Sequence, residues 1–357
     1  MSRRFRAQPL RGRPSVTVVI PCHNYGHYVG TAVKSVLTQP GVDVEAIVID
    51  DASTDGSAEV VRELAAGEPR IRAILHSSNF GHIATYNEGL EQASGDYVVL
   101  LSADDALPPG SLARATALLE AHPSVGLVYG RPEVFVDEPP PVRQDVRSWT
   151  IWSGNEWIRK RCRVGRNCIT SPEVVMRTSV QHAIGGYDSH LPHSGDLEMW
   201  LRAAAVSEIG RVNGPPQGFY RVHPDSMMRT THPLNSLADL DQVLAAFETA
   251  LIGPRASLPN GDSLFASARK ALAASALGCA RSAYDHGHSI PDPVEDYMAF
   301  ASNVWPGVSK TWRWRVVARC APADGGQVNR GWDAAALRLA AALRSRGRAR
   351  RCRWIGQ

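Results

Sequence analysis

The 357-residue chain is poor in lysine: four, against 35 arginines. So skewed a ratio reflects coding bias more than function. No apolar run approaches the roughly 20 residues that span a bilayer. Six cysteines are scattered over the chain and none forms a C-x-x-C pair. Cys162 and Cys168 are too widely spaced for half a zinc site, so free thiols in a reducing cytoplasm are the expectation. Residues 1–14 are basic but lack the apolar segment of a secretory signal. The first apolar strand exits into Pro21-Cys22-His23-Asn24 rather than G-x-G-x-x-G, so the backbone cradle of a dinucleotide-binding enzyme is missing. No fixed-period repeat is present, which excludes a solenoid.

What is present is 44% hydrophobic residues, enough for a sizeable core, and a net charge of +4 that is unevenly placed. Residues 1–14 hold five arginines and no acid, and residues 344–357 hold six and no acid. Between them lie 28 basic and 35 acidic residues. An acidic body with two basic ends does not describe a nucleic-acid binder. Solvated, flexible ends are the simplest expectation for 1–14 and 344–357.

From 15 to 130 the pattern alternates. Val16–Ile20, Ala46–Ile49, Ile71–Leu75, Tyr97–Leu101 and Val125–Tyr129 are apolar, β-rich runs. Helical spacing separates them at Val29–Leu37, Ser57–Ala66, Thr85–Ala93 and Ser111–Ala121. This order predicts a mainly parallel sheet flanked by helices, with ligands at the carboxyl ends of the strands. From 131 to 232 the pattern loosens. A Pro-rich loop covers 136–148, helices are predicted at Asn155–Arg161 and Asp196–Ala205, and strands at Glu173–Met176 and Gln217–Val222. From 233 the chain is Ala- and Leu-rich, with helical spacing at Ser236–Ile252, Ser263–His286 and Asp333–Arg346.

Polar clusters fall at the predicted strand ends. Asp50-Asp51 ends the second strand: Asp51 reads as a ligand contact, whereas Asp55 reads as a helix cap. Asp104-Asp105 ends the fourth. Adjacent carboxylates repel unless a cation or donors offset them, so this pair reads either as a hard divalent-metal site or as an acidic turn. Asn79, Gly81 and Asn87 surround a helix N-terminus able to face a diphosphate, or form an ordinary loop and helix. Asp196 opens a predicted helix; on pattern alone a cap is favoured over a general base. His223 stands at a strand end and reads as a phosphate or metal contact, or as a structural histidine. Trp149, Trp152 and Trp157 read equally as core or as a sugar-stacking surface.

Taken in order, VTVVIPCHNYGHYVGTAVKSVLTQ, VIDDASTDGS and NFGHIATYNEGLEQASGDYVVLLSADDALPPGSL resemble the second family of inverting, nucleotide-sugar-dependent glycosyltransferases, which have the GT-A fold. GGYDSHLPHSGDLEMWLR and YRVHPDSMMR are similar to its downstream acceptor-side motifs. The resemblance covers residues 15–232. It implies a nucleotide-sugar-binding half at 15–130 and an acceptor-binding half at 131–232; the helical C-terminal extension at 233–343, read from its spacing, lies outside the resemblance. It implies Pro21 and Asn24 near the nucleotide, Asp51 on a uracil or thymine ring, and Asn79, Gly81 and Asn87 near the donor. Asp105 would ligate Mg²⁺ or Mn²⁺, Asp104 the metal or the ribose, and His223 would lie by the diphosphate or metal. Asp196 would be the catalytic base. Ser102 stands where many members carry a further aspartate, and the helix from Thr85 lacks an arginine common in relatives.

The implied reaction is a single inverting displacement from a UDP- or dTDP-sugar to the hydroxyl of a glycan, a lipid-linked or a small-molecule acceptor. A non-catalytic sugar-nucleotide-binding or scaffold protein is the alternative, motivated by Ser102 and the unplaced extension; the retained Asp104, Asp105 and Asp196 weigh against it. A cytoplasmic location follows, with peripheral contact to an anionic membrane through Arg344–Arg353, Trp354 and Ile355 as the sharper expectation for the basic end.

Overall fold

The computed structural model describes residues 2–224, 226, 233–286 and 291–320. The expected helix at 333–346 and the basic end at 344–357 lie outside the described residues.

The first half follows the alternating pattern. Strands β2 (Ser15–Cys22), β3 (Asp43–Asp50), β4 (Ile71–Leu75), β5 (Tyr97–Leu100) and β6 (Val125–Tyr129) are separated by helices α1 (Gly26–Leu37), α2 (Ser57–Gly67), α3 (His82–Glu91) and α4 (Ser111–Ala121). Then come β7 (Pro132–Phe135), β8 (Ser148–Trp152), α5 (Gly154–Val164), β9 (Val175–Arg177), α6 (Thr178–Ile184), α7 (Gly195–Val206), β10 (Glu208–Asn213) and β11 (Gly218–Arg221). The extension supplies α8 (Leu237–Ile252), α9 (Gly261–His286), α10 (Val294–Val304) and α11 (Trp312–Cys320).

Nine strands form one sheet in the order β1-β8-β10-β6-β9-β5-β2-β3-β4, where β1 is Arg3–Phe5. β2 runs parallel to β3 and β5, β3 to β4, and β10 to β6, while β8 and β9 run against their neighbours. The sheet is therefore mainly parallel. β2 and β3 are buried on both faces, as their unbroken apolar runs require. Side-chain alternation divides them: Val16, Val18 and Ile20 pack toward α1 and α4, and Val19, Ile47 and Ile49 toward the opposite layer.

One expectation changes, and two are extended. Residues 3–5 are not a solvated tail: they pair antiparallel with β8, Arg3 opposite Ile151 and Phe5 opposite Trp149. Free backbone groups on the β8 edge and the Phe5 ring outweigh the charge of the segment. Gln217–Val222 does form a strand, but β11 pairs with β7 in a separate two-stranded parallel sheet. The extension is not an appendage, because Phe247, Leu264, Leu272 and Tyr297 share a single buried cluster with Trp157, Ile158 and Trp200. Trp149, Trp152 and Trp157 are all buried and belong to the core.

Candidate active site

The carboxyl ends of β2, β3 and β5 open into a cleft of about 1100 Å³. Pro21, Asn24, Asp51, Asn79, Gly81, Asp104, Asp105, Asp196 and His223 all line it. None of the three tryptophans does.

At one end two strand exits are tied together. Asn24 has a positive φ of 58° and Ala52 one of 53°. For Ala such a conformation persists only where neighbours enforce it. The Asn24 amide oxygen accepts from the Thr54 N–H at 2.8 Å, and the Asn24 N–H donates to Ser53 Oγ at 2.9 Å. Asp55 accepts from the N–H groups of Ser57 (3.0 Å) and Gly26 (3.2 Å), at the starts of α2 and α1, and so is a structural cap as read.

Asp51 is buried behind this turn. Its Oδ1 accepts from the Phe80 N–H (2.8 Å) and faces His76 Nδ1 (2.8 Å), and its Oδ2 accepts from the Gly81 N–H (2.9 Å). Burial alone would raise its carboxyl pKa; the bonds from His76, Phe80 and Gly81 outweigh that and hold it below the usual range. The Gly81 N–H is thus turned to Asp51, at a φ of 85° that favours glycine. Asn79 Oδ1 also accepts from the Gly81 N–H (2.8 Å), and the Asn79 amide lies 3.3 Å from the His23 ring.

Asn87 is a correction. It does not line the cleft; its side-chain amide engages both backbone polar groups of Tyr187, accepting from N–H at 2.6 Å and donating to C=O at 2.9 Å. A Cβ on Gly186 would come within 2.4 Å of Asn87 Oδ1, so Gly186 is what lets the two segments meet. Helical spacing turns Asn87 toward the Gly186-Tyr187 segment and away from the cleft.

In the middle stand Asp104 and Asp105. Asp104 Oδ2 lies 3.0 Å from His223 Nε2, and Asp104 Oδ1 is buried with no partner among the described residues. Asp105 Oδ1 accepts from the Arg221 N–H at 2.9 Å. Burial, and then the charge of Asp104, push the Asp105 pKa well up; the Arg221 N–H opposes the shift. Arg221 was quoted in the sequence motif without a role. Its guanidinium donates to the carbonyls of Asp104 (2.8 Å), Val136 (2.9 Å) and Asp137 (2.7 Å) and lies 4.4 Å from the Tyr28 ring centre and 4.3 Å from that of Phe135. The short β11 strand delivers Arg221 and His223 to this turn, and Phe219 pairs with Ala106 beside it.

At the other end Asp196 lies in the first turn of α7. It is not a cap: Oδ2 accepts from Ser171 Oγ (2.6 Å) and Oδ1 from Tyr187 Oη (2.9 Å). Burial raises its pKa, against the lowering effect of these two hydroxyls and of His193 and His82. Two latches hold the preceding loop. His82 Nε2 is 2.9 Å from the Pro192 carbonyl, and His193 Nε2 is 3.0 Å from Asp239 Oδ1 on α8. Ser171 and His193 escaped the sequence reading, since single residues in irregular segments carry no periodic signal, and Asp239 escaped it because helical spacing does not say what a polar residue of the first turn faces. His76 escaped it for the same reason as Ser171 and His193.

Residues 17–180 match the family described as Glycosyl transferase family 2. An uncharacterized glycosyltransferase of Nostoc sp. is 30% identical to this chain over 151 residues, 40% of the chain and 47% of that relative. The chain thus spans about half the length of that relative. Two solved structures share the fold. One is a mannosyltransferase from Pyrobaculum calidifontis in complex with GDP-Man and Mn²⁺: TM-score 0.54, 19% identity, 87% of this chain and 85% of that one. The other is S. aureus TarS 1–349 in complex with UDP-GlcNAc: TM-score 0.55, 15% identity, 89% and 97%. Asp51, Asp104 and Asp105 lie within the matched glycosyltransferase segment, and Asp196 and Asp239 follow it. No helix among the described residues is long and apolar enough to cross a membrane.

Proposed function

We propose that the protein transfers a sugar from a nucleoside-diphosphate sugar, UDP- or dTDP-linked, to an acceptor hydroxyl with inversion at the anomeric carbon. One observation carries this reading: a single cleft joins the nucleotide-side residues Pro21, Asn24 and Asp51, the pair Asp104-Asp105, and the isolated carboxylate Asp196. The GDP-Man and UDP-GlcNAc complexes of the structural neighbours support a nucleotide sugar as donor.

The residues present fit a divalent metal. Among the described residues no three His, Cys, Asp or Glu side chains form a ready cage. Mg²⁺ and Mn²⁺ sites with phosphate substrates need only one or two carboxylates, the phosphate oxygens completing the shell. Asp104 and Asp105 are those carboxylates, and the buried Oδ1 of Asp104, without a partner among the described residues, is the group that a cation would satisfy. His223, against Asp104 Oδ2, orients it or joins the ligand set. When bound, the metal supplies charge neutralisation to the departing diphosphate.

The chain's own groups do the rest. Asp196 accepts the proton of the acceptor hydroxyl while that oxygen attacks the anomeric carbon and the nucleoside diphosphate leaves. Ser171 and Tyr187 hold the carboxylate in one orientation through both oxygens. The raised pKa of Asp196 makes it a stronger base than a solvated aspartate. The test is transfer with UDP- and dTDP-sugars and Mg²⁺ or Mn²⁺ over an acceptor panel, with product stereochemistry read by NMR. Retention of anomeric configuration, or full turnover by Asp196→Asn with a genuine acceptor, would falsify the reading.

A further inference from the structure

His76 lies at the end of β4, outside every motif of the sequence. Its side chain is 7% exposed. Both ring nitrogens face carboxylates: Nδ1 is 2.8 Å from Asp51 Oδ1 and Nε2 is 2.7 Å from Glu88 Oε2. A neutral imidazole has one N–H and one lone pair, so it satisfies one carboxylate and repels the other. Only the imidazolium donates at both ends. The groups on the elements packed against it agree. Asp51 faces it from the turn after β3, Glu88 from α3, and the Phe80 ring lies edge-on at 4.9 Å. Burial pulls its pKa down, but the bonds and charges of Asp51 and Glu88 outweigh that and leave it raised. The Asp51 oxygen that His76 holds also accepts from the Phe80 N–H, so strut, carboxylate and the 79–81 loop form one unit.

We propose that His76 is a charged strut of the nucleotide pocket, a positioning residue that binds Asp51 to α3 and makes nucleotide affinity fall as the ring loses its proton. The proposal rests on reading this end of the cleft as the nucleotide site. When the ring is neutral, one end of the strut opens. Asp51 then loses either the ring itself, keeping the Phe80 and Gly81 N–H groups and the Thr85 side chain, or the onward tie of the ring to Glu88. A substitution at Glu88 has a distinct effect. In Glu88→Gln the new side-chain amide can donate to Nε2, so a neutral ring then serves at both ends and the proton is no longer needed.

The experiment has two readouts. First, UDP with Mn²⁺ is titrated calorimetrically into the full chain between pH 6 and 9. Wild type is expected to weaken about tenfold across this range, the loss of one charge-assisted hydrogen bond. His76→Ala is expected to bind about tenfold more weakly than wild type at pH 6, with a flat profile, and Glu88→Gln to flatten the profile as well. His76→Ala with wild-type affinity and a wild-type profile overturns the proposal. Second, ¹⁵N imidazole spectra, with His76 identified by its loss in the His76→Ala variant, read the strut without ligand. Two protonated nitrogens at pH 7 are expected, and a single neutral tautomer overturns it. Two protonated nitrogens with no binding of UDP or dTDP at any pH would instead overturn the nucleotide reading of the pocket and the coupling with it, the strut itself being upheld.

Discussion

Replacing Arg221 by Ala should destabilise the fold and weaken metal-dependent nucleotide binding together. The residue is 5% exposed, and its guanidinium donates to three carbonyls, on the Asp104 turn and the 136–137 loop, while lying between two aromatic rings. Each buried acceptor left without a partner costs about 1–3 kcal/mol, and each lost cation–π contact about 0.5–1 kcal/mol. Water entering the vacated space recovers part of this. The net loss is about 3–5 kcal/mol, which in a chain of this size lowers the melting temperature by about 5 °C. Arg221→Lys keeps the charge but not the planar fork, which reaches three acceptors at once, so it should recover less than half. Thermal melts of the three proteins give the stability, and UDP titration with and without Mn²⁺ gives the coupling to Asp104 and Asp105. An Arg221→Ala protein that melts within about 1 °C of wild type would refute the reasoning, since no repacking restores three donors.

Asp196→Asn should lower transfer about 10²–10⁴-fold and leave UDP affinity unchanged, measured by turnover and by calorimetry. A base must be ionised to act, so wild-type transfer should fall as pH drops through the raised Asp196 value, and the acid limb should begin above the range of a solvated aspartate. Tyr187→Phe removes a hydroxyl that holds this pKa down, so the acid limb of the rate profile should move to higher pH. Glu173 has its pKa pushed by burial to about 8, against opposition from the Thr170 N–H and nearby arginines. The folded state therefore holds a proton that the unfolded chain releases near pH 4.5, and wild-type stability should decline from about pH 4.5 to about 8. Melts across this window should show Glu173→Gln gaining on wild type as pH rises.

The first half of the fold was legible because its strands are buried on both faces and its helices on one. Unbroken apolar runs and helical spacing state both directly, and Ile71–Leu75, Ser111–Ala121 and Val125–Tyr129 fall where the pattern puts them. β10 was not legible: Glu208–Asn213 mixes a glycine, an arginine and a glutamate, and is a strand only because β6 and β8 flank it. β1 was hidden by its arginines. In the site, residues following an apolar strand could be placed, since strand ends define the ligand edge. Asn87 could not, because which way a helical amide faces depends on what packs beside it, here Gly186. Asp196 shows the limit most clearly. Its sequence position is that of a helix cap, and only the hydroxyls of Ser171 and Tyr187, 25 and nine residues away, show otherwise.

The pairing of residues 3–5 with β8 bears on how the protein is handled. β8 is Ser-Trp-Thr-Ile-Trp, and β1 covers its outer side. A shortened version begun at residue 15, chosen because the first fourteen residues look dispensable, would leave the backbone of Ser148–Trp152 open to pairing with the same strand of another molecule. Such a preparation would be prone to self-association through an edge that the intact chain keeps shut.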